Sequence, residues 1–236
     1  MEALTTHETS FFRDRAVFDE LERRVLPELA AARRGGVLRL WSAAASTGQE
    51  VWTLAIVCAR AAVVPPARDY LIVASDIGVD SLRRAAEGVY TNFEVQRGLR
   101  ARELTEWFRR DERGFVVREE LRRRVRFVRH NLLDPPGRLG RFDVVLLRNV
   151  LIYMDAATRE RVLTNVRQVL APDGVVVLGA SEVLLDAPHF RPLGGVPGLF
   201  RPLAGADGQR SGGARPMLVA DGAENPTWRP GEWRPS

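Results

Sequence analysis

The chain has 236 residues, 45% of them apolar and 28% charged, with a net charge of +5. That suits one soluble α/β domain with room for a short insertion and a tail. No stretch approaches the roughly 18–20 uninterrupted apolar residues of a membrane span, and the polar start, Met1 to Arg15, lacks the apolar core of a signal peptide. A cytoplasmic protein with no membrane insertion is expected. The single cysteine, Cys58, excludes an intrachain disulfide. His7, His130 and His189 are dispersed and no paired-ligand spacing occurs, so no metal site is expected.

The charge is uneven. Every basic side chain is arginine, and Arg97 to Arg129 holds 12 arginines against six acids. That local surplus exceeds the charge of the whole chain, so the rest is near neutral. Such a patch attracts an anionic partner, a nucleic acid or an acidic protein surface, or is simply a solvated face.

Val17, Phe18, Leu21, Val25, Leu26 and Leu29 recur at helical spacing and predict a first helix, ended by Arg33-Arg34-Gly35-Gly36. Val37 to Ser42 reads as a buried strand, Ala43 to Gly48 as a tight loop, and Glu50 to Ala62 as an apolar helix stopped by Pro65-Pro66. Tyr70 to Ser75 is the next strand, ending at Asp76, and Val79 to Gly88 a short helix. This alternation implies a mostly parallel sheet with helices on both faces. The pattern breaks over 97–124, read as an inserted basic subdomain with a helix (Leu99 to Phe108) and a small strand (Phe115 to Val117). Val125 to Arg129 and Phe142 to Leu147 resume the sheet. Ala156 to Leu170 is a helix, Val175 to Leu178 a strand, and two segments starting at Phe190 and Gly198 form an antiparallel hairpin. The expected organisation is thus 1–34 as N-terminal motif and linker helix, 35–203 as the main domain, and 204–236 as a disordered tail rich in Gly and Pro.

Ligands of an open parallel sheet bind beyond the carboxyl ends of its strands. The loop at Ala43 to Glu50 lets a backbone approach a ligand at a helix N-terminus. It lacks the G-x-G-x-x-G of dinucleotide sites and the G-K-[ST] of a P-loop, which leaves a smaller nucleoside ligand open, or a plain tight turn. Asp76 can accept from both hydroxyls of a ribose, or cap the next helix. Glu50 complements a helix dipole or binds an amino group. Asn131 and Asp134 flank a ligand or make turn chemistry before Pro135-Pro136. Asn149 ends the central strand, where an unpartnered amide is costly, and Tyr153 lies four residues on.

Several segments together resemble one family. Thr9-Ser10-Phe11-Phe12-Arg13, Trp41 through Glu50, Ala74-Ser75-Asp76-Ile77, Asn131-Leu132-Leu133-Asp134, Phe142-Asp143 through Arg148-Asn149-Val150-Leu151-Ile152-Tyr153, and Gly179-Ala180-Ser181-Glu182 run in the order of the CheR-type chemoreceptor glutamate O-methyltransferases. The resemblance covers about Thr5 to Arg201. It implies a Rossmann-like class I methyltransferase fold. It also implies methyl transfer from S-adenosylmethionine (SAM) to glutamate side chains on cytoplasmic helices of methyl-accepting receptor proteins, releasing S-adenosylhomocysteine. By match, Thr9, Arg13, Glu50, Asp76, Asn131, Leu132, Asn149 and Val150 are cofactor contacts. Arg13, Arg148 and Tyr153 lie at the methyl-transfer centre. A glutamate carboxylate, with a free pKa of about 4.3, is already ionised at neutral pH, so no general base is required.

The sequence departs from the family pattern at His7, Gln49, Trp52 and Ala180. The family's N-terminal helical domain has no counterpart ahead of the first motif. That opens a second reading, a non-catalytic SAM-binding or partner-binding module. A third, a nucleic-acid methyltransferase, has only the arginine patch behind it, without a stacking platform. Arg109 to Arg124 resembles a small β insertion that docks a receptor-tail peptide in some members. Here it is short, so no tethering peptide is expected, and a monomer is.

Overall fold

The computed structural model describes residues 9–33, 36–61, 69–182 and 189–203, and the backbone of 227–228. Phe11 and Phe12 are buried, and the helical run behind them comprises α1 (Arg15–Glu20), a π turn (Leu21–Val25) and α2 (Leu26–Ala32). One uninterrupted helix was the expectation from periodicity. The π turn has a local cause in Pro27, which lacks an N–H and crowds the carbonyl four residues back. The Leu26 N–H reaches back to the Leu21 carbonyl instead, a one-residue widening that keeps Leu21, Val25, Leu26 and Leu29 on the buried face.

The main sheet contains β1 (Val37–Ala43), β2 (Asp69–Asp76), β6 (Val125–Arg129), β7 (Phe142–Leu147), β8 (Leu170–Leu178), β9 (Phe190–Pro192), β10 (Leu199–Pro202) and β11 (Thr227–Trp228). Its order is β11-β6-β2-β1-β7-β8-β10-β9. The five strands from β6 to β8 are parallel, and β9 and β10 close one edge as the expected antiparallel hairpin. Side chains alternate between two cores. Leu38, Leu40, Val144, Leu146, Val175 and Val177 face one, and Trp41, Ala43, Val145, Leu147, Val176 and Leu178 face the other. Burial on both faces explains why these strands read as continuous apolar runs.

Helix α3 (Gln49–Ala61) is buried from Val51 to Cys58, between the sheet and the N-terminal helical run. Helices α4 (Val79–Glu87) and α8 (Ala156–Val169) lie on the β2–β6 and β7–β8 crossovers, and the β6–β7 crossover carries a 3-10 turn (Pro136–Leu139). Chain direction across the sheet reverses at β1, whose neighbours are β2 and β7. The crevice beyond the carboxyl ends of β1 and β7 is therefore the topological switch point.

The expected insertion is a second sheet of β3 (Val89–Tyr90), β4 (Phe108–Asp111) and β5 (Gly114–Val117), ordered β3-β5-β4. With it go α5 (Asn92–Gln96), α6 (Ala101–Trp107) and α7 (Glu119–Arg122). This unit starts upstream of residue 97, because β5 pairs with Val89 and Tyr90. Of the tail, only the Thr227–Trp228 backbone is described, and it pairs antiparallel with β6. The remainder of the stretch expected to be disordered lies outside the described residues.

A buried ion cluster fastens the small unit to the N-terminal segment. Arg15 grips both oxygens of Glu103 at 2.7 and 3.0 Å, and Arg60 adds a bond of 3.1 Å. Burial alone would raise the Glu103 carboxyl, but donors on Arg15, Arg100 and Arg60 outweigh it and hold the carboxyl below the usual range. Gly98 makes the closest approach, with φ at 114° and a hypothetical Cβ only 1.8 Å from the Phe11 carbonyl oxygen. Gly98→Ala is expected to cost about 3 kcal/mol through strain and overpacking. Gly137→Ala, where a Cβ meets nothing within 4 Å, is the control. Urea unfolding of the two variants checks this, and equal midpoints would refute it.

Candidate functional site

Five non-glycine residues among those described have positive φ: Phe12, Asp14, Ala44, Ser46 and Asn149. Such backbone is uncommon for L-residues and collects where surrounding structure imposes it. All five belong to segments that meet at the carboxyl ends of β1, β2 and β7. The loop after β1 is shaped first by Gly48, whose φ is 94°. A Cβ there would lie 2.8 Å from both the Ala85 Cβ and the Tyr90 hydroxyl oxygen. Tyr90 is fully buried and donates to the Thr47 carbonyl at 2.9 Å.

Asp76 holds the same loop from β2. Its Oδ2 accepts the Ser46 N–H at 2.8 Å and its Oδ1 accepts the Gly78 N–H at 2.9 Å. Next to it, the Trp41 indole donates to Ser75 Oγ at 2.9 Å, and the Ala45 N–H donates to the Ser75 carbonyl at 2.8 Å. The half-buried Asp76 carboxylate thus faces a loop whose backbone has been folded towards it.

Arg148 is the hub between β7 and the N-terminal turn. Its side chain is 1% exposed. It donates to Glu50 Oε2 at 3.1 Å, to Asp14 Oδ2 at 2.6 Å and to the Arg13 carbonyl at 3.1 Å. The other end of the turn is pinned by the Phe12 N–H, which donates to Thr53 Oγ1 on α3 at 3.1 Å. Arg13, between these anchors, is exposed. Glu50 also accepts from Ser42 Oγ at 3.2 Å. Burial pushes the Glu50 carboxyl above its ordinary range. Arg148 and Ser42 pull it back in part, and the charge of Glu182 pushes it up again.

Asn149 and Val150 are drawn into this group through Glu182, which accepts their N–H groups at 2.7 and 2.8 Å. Tyr153, at the end of a 3-10 turn (Leu151–Tyr153), is 60% exposed. Thr9 is half-buried. Asn131 and Leu132 lie beyond β6. There Asn131 Oδ1 accepts the Leu133 N–H at 3.0 Å, which is the turn chemistry left open by the sequence. Asn165 on α8 braces this turn by donating to the Leu132 carbonyl at 2.9 Å. The His130 N–H ties it to the Asp76 carbonyl at 3.0 Å.

Sequence reasoning missed Asp14, Ser42, Thr53 and Glu182 as parts of the site. Two signals were available: Asp14 adjoins Arg13, and Glu182 closes the quoted Gly179–Glu182 segment.

Several arginines of the arginine-rich segment share acids, but twelve arginines against six acids leave it net positive. Arg109 and Arg113 share Asp111 at 3.7 and 3.4 Å. Arg122 and Arg123 share Glu119 at 3.5 and 3.3 Å, and Arg124 pairs with Asp69. A cavity of about 420 Å³ lies there, lined by Arg83, Arg109, Arg113 and Arg122 but also by Glu87 and Glu119.

Comparison with known proteins agrees with this geometry. The family model described as "CheR methyltransferase, SAM binding domain" matches residues 7–195. Chemotaxis protein methyltransferase 1 of Pseudomonas aeruginosa is 38% identical over 207 residues, which is 85% of this chain and 75% of that protein. The chemotaxis protein methyltransferase of Salmonella typhimurium is 40% identical over 185 residues, 76% of this chain and 62% of that one. A mostly parallel sheet reversing at β1, a strained loop and two carboxylates at its open end, and a family match across four-fifths of the chain lead to one conclusion. The chain belongs to the CheR methyltransferase family and carries its SAM-binding domain.

Proposed function

We propose that the chain methylates glutamate side chains of chemoreceptor-type proteins, giving glutamyl methyl esters. The observation that carries this is the family match combined with a site that offers anchoring carboxylates at the open end of the sheet. The residues suit SAM. Glu50 is a largely buried carboxylate, 17% exposed, for its amino group, Asp76 is a carboxylate at a strand end for its ribose hydroxyls, and Gly48, at φ of 94° and packed against Ala85 and Tyr90, sets the course of the loop between them. Asn149 and Val150 line the methionine side, Asn131 and Leu132 the adenine side, and Thr9 the mouth. When bound, SAM supplies a methyl group already activated on a sulfonium sulfur.

The acceptor glutamate needs no deprotonation at neutral pH. Its carboxylate oxygen bonds to the methyl carbon as the carbon–sulfur bond breaks, and no proton moves. The protein's part is alignment and exclusion of water. Arg13 and Tyr153, both exposed at the mouth, orient the incoming carboxylate. Arg148 is held by Glu50, Asp14 and the Arg13 carbonyl, with only its buried Nε left without a hydrogen-bond partner, so it shapes the centre from behind. That restraint is useful, because a strong pair with the acceptor would stabilise the ground state.

The test uses methyl-labelled SAM, the chain and host membranes, followed by mild alkali. Receptor-sized label released as volatile methanol supports the ester-forming reading. Alkali-stable label, or SAM binding without transfer, overturns it.

A pH dependence follows from Glu50. Its folded carboxyl protonates more readily than a free glutamate, so the anion that holds an ammonium is lost first as pH falls. SAM affinity is expected to decline with a midpoint above the ordinary carboxylate range and to be level above that midpoint. Glu50→Gln should bind weakly at every pH. Titration calorimetry from about pH 8 to about pH 5 reads this directly, since a free glutamate titrates near 4.3. The stability sign is opposite. With the folded carboxyl raised, stability is greatest in acid and falls as pH rises through the folded midpoint.

A further inference from the structure

The turn after β7 departs from both helix and strand. Asn149 has φ of 57°, and the N–H groups of Asn149, Val150 and Leu151 converge on one carboxylate. Glu182 Oε2 accepts from Asn149 at 2.7 Å, and Oε1 accepts from Val150 and Leu151 at 2.8 Å each. The Gly179 N–H adds a fourth bond, 2.7 Å to Oε2. A carboxylate has about four acceptor sites, two on each oxygen, and here all four are filled. Glu182 is buried, so no competing water of solvation is needed to explain its position. Gly179 is part of the same device. A Cβ on it would lie 2.7 Å from Asn149 Nδ2 and 2.9 Å from Glu182 Oε2. Only glycine lets the Asn149 amide and the Glu182 carboxylate approach each other across the end of β8.

We infer that Glu182 is a positioning residue for the cofactor-binding turn: it fixes Asn149–Leu151 so that Asn149 and Val150 face SAM and Tyr153 stands at the mouth. It acts through backbone and touches no substrate. The requirement is for two accepting oxygens. Glutamine has the same shape, but either orientation of its amide sets an NH₂ group against two N–H donors. Aspartate keeps the charge and loses reach. The inference rests on the proposed cofactor-side roles of Asn149 and Val150. Its readout is cofactor affinity, which does not depend on the methyl acceptor being a receptor glutamate.

The experiment measures SAM and S-adenosylhomocysteine affinity of the full chain by titration calorimetry for Glu182→Gln, Glu182→Asp and Gly179→Ala, with amide hydrogen exchange at 149–151. Glu182→Gln and Gly179→Ala are expected to weaken both ligands by about tenfold or more, with Glu182→Asp between them and the unaltered chain. Exchange should accelerate at 149–151 and stay slow in β1 and β7. In transfer assays the KM for SAM should rise. If Glu182→Gln does not fold, Glu182→Asp decides with Gly179→Ala, since the first keeps the charge while losing reach and the second displaces the carboxylate without changing its chemistry. Affinities within about twofold of the unaltered chain in folded variants overturn the inference, leaving Glu182 as a fold-stabilising contact. Absence of receptor labelling by the unaltered chain, with the affinity losses intact, overturns the proposed acceptor and leaves the positioning role standing.

Discussion

Arg148→Met is expected to lower stability by about 3–5 kcal/mol and to abolish measurable SAM binding. The guanidinium is 1% exposed and lies within 3.1 Å of two carboxylates and one carbonyl. Its removal leaves Glu50 buried beside the charge of Glu182, with Ser42 as its remaining hydrogen-bond donor. The Glu50 carboxyl, already raised, then moves further up and takes a proton. Protonation relieves part of the folding penalty, but it also removes the anion proposed to hold the SAM ammonium. The two effects separate by pH. Stability should recover towards acid, while SAM affinity, which needs the Glu50 anion, should fall further there. Arg148→Lys should fall between, because its ammonium keeps the charge but lacks the planar fork whose two ends reach Glu50 on one side and Asp14 and the Arg13 carbonyl on the other. Arg23→Ala is the contrast. Its pair with Asp19 spans 3.7 Å and Arg23 is 78% exposed, so the change should stay within about 0.5 kcal/mol. Guanidinium unfolding gives the stabilities, and a midpoint for Arg148→Met matching that of Arg23→Ala would show that the hub carries nothing.

Much of the architecture was legible because the sheet is buried on both faces. Val144 to Leu147 and Val175 to Leu178 must be apolar at every position, and such runs separated by helical stretches admit few arrangements. The strand-end rule then pointed to Glu50, Asp76 and Asn149 before any contact was known. The π turn was not legible, since Pro27 sits inside a periodic apolar run and the pattern absorbs it. Nor was β3, because two residues carry no periodicity and Val89 is defined as strand only by its partner Val116. The supports of the site escaped for a related reason. Asp14 meets Arg148 across 134 positions and Glu182 meets Asn149 across 33. Their acceptor role comes from tertiary pairing, and a lone acid beside a strand end reads equally well as a solvated one. Asn131 shows the converse. The side-chain oxygen proposed to flank adenine is bonded to the Leu133 N–H, so any contact it makes with the cofactor falls to its other groups.

Asp76→Ala should weaken SAM by about two to three powers of ten, or about 3–4 kcal/mol, with little change in kcat at saturating SAM. Two losses combine. The ribose hydroxyls lose a charged acceptor, and the Ser46 N–H loses the oxygen 2.8 Å away that holds its residue at φ of 49°. The helix-cap alternative is too small to account for such a drop. Asp76 bonds the N–H of Gly78, the residue that precedes α4, and α4 has no side-chain cap. Half-buried and facing backbone donors, Asp76 should cost only about 1 kcal/mol of stability on removal. Affinity and folding therefore diverge, which a purely structural role would not produce. Asp76→Asn sharpens the distinction. Its amide matches the carboxylate in size but turns an NH₂ towards either Ser46 or Gly78, so it should bind SAM at least about tenfold more weakly while folding almost normally. SAM and S-adenosylhomocysteine should lose affinity equally in both variants, because the ribose is common to the two and the sulfonium is not. A fall in kcat as large as the fall in affinity would instead assign Asp76 to the methyl-transfer step and leave the ribose without its acceptor.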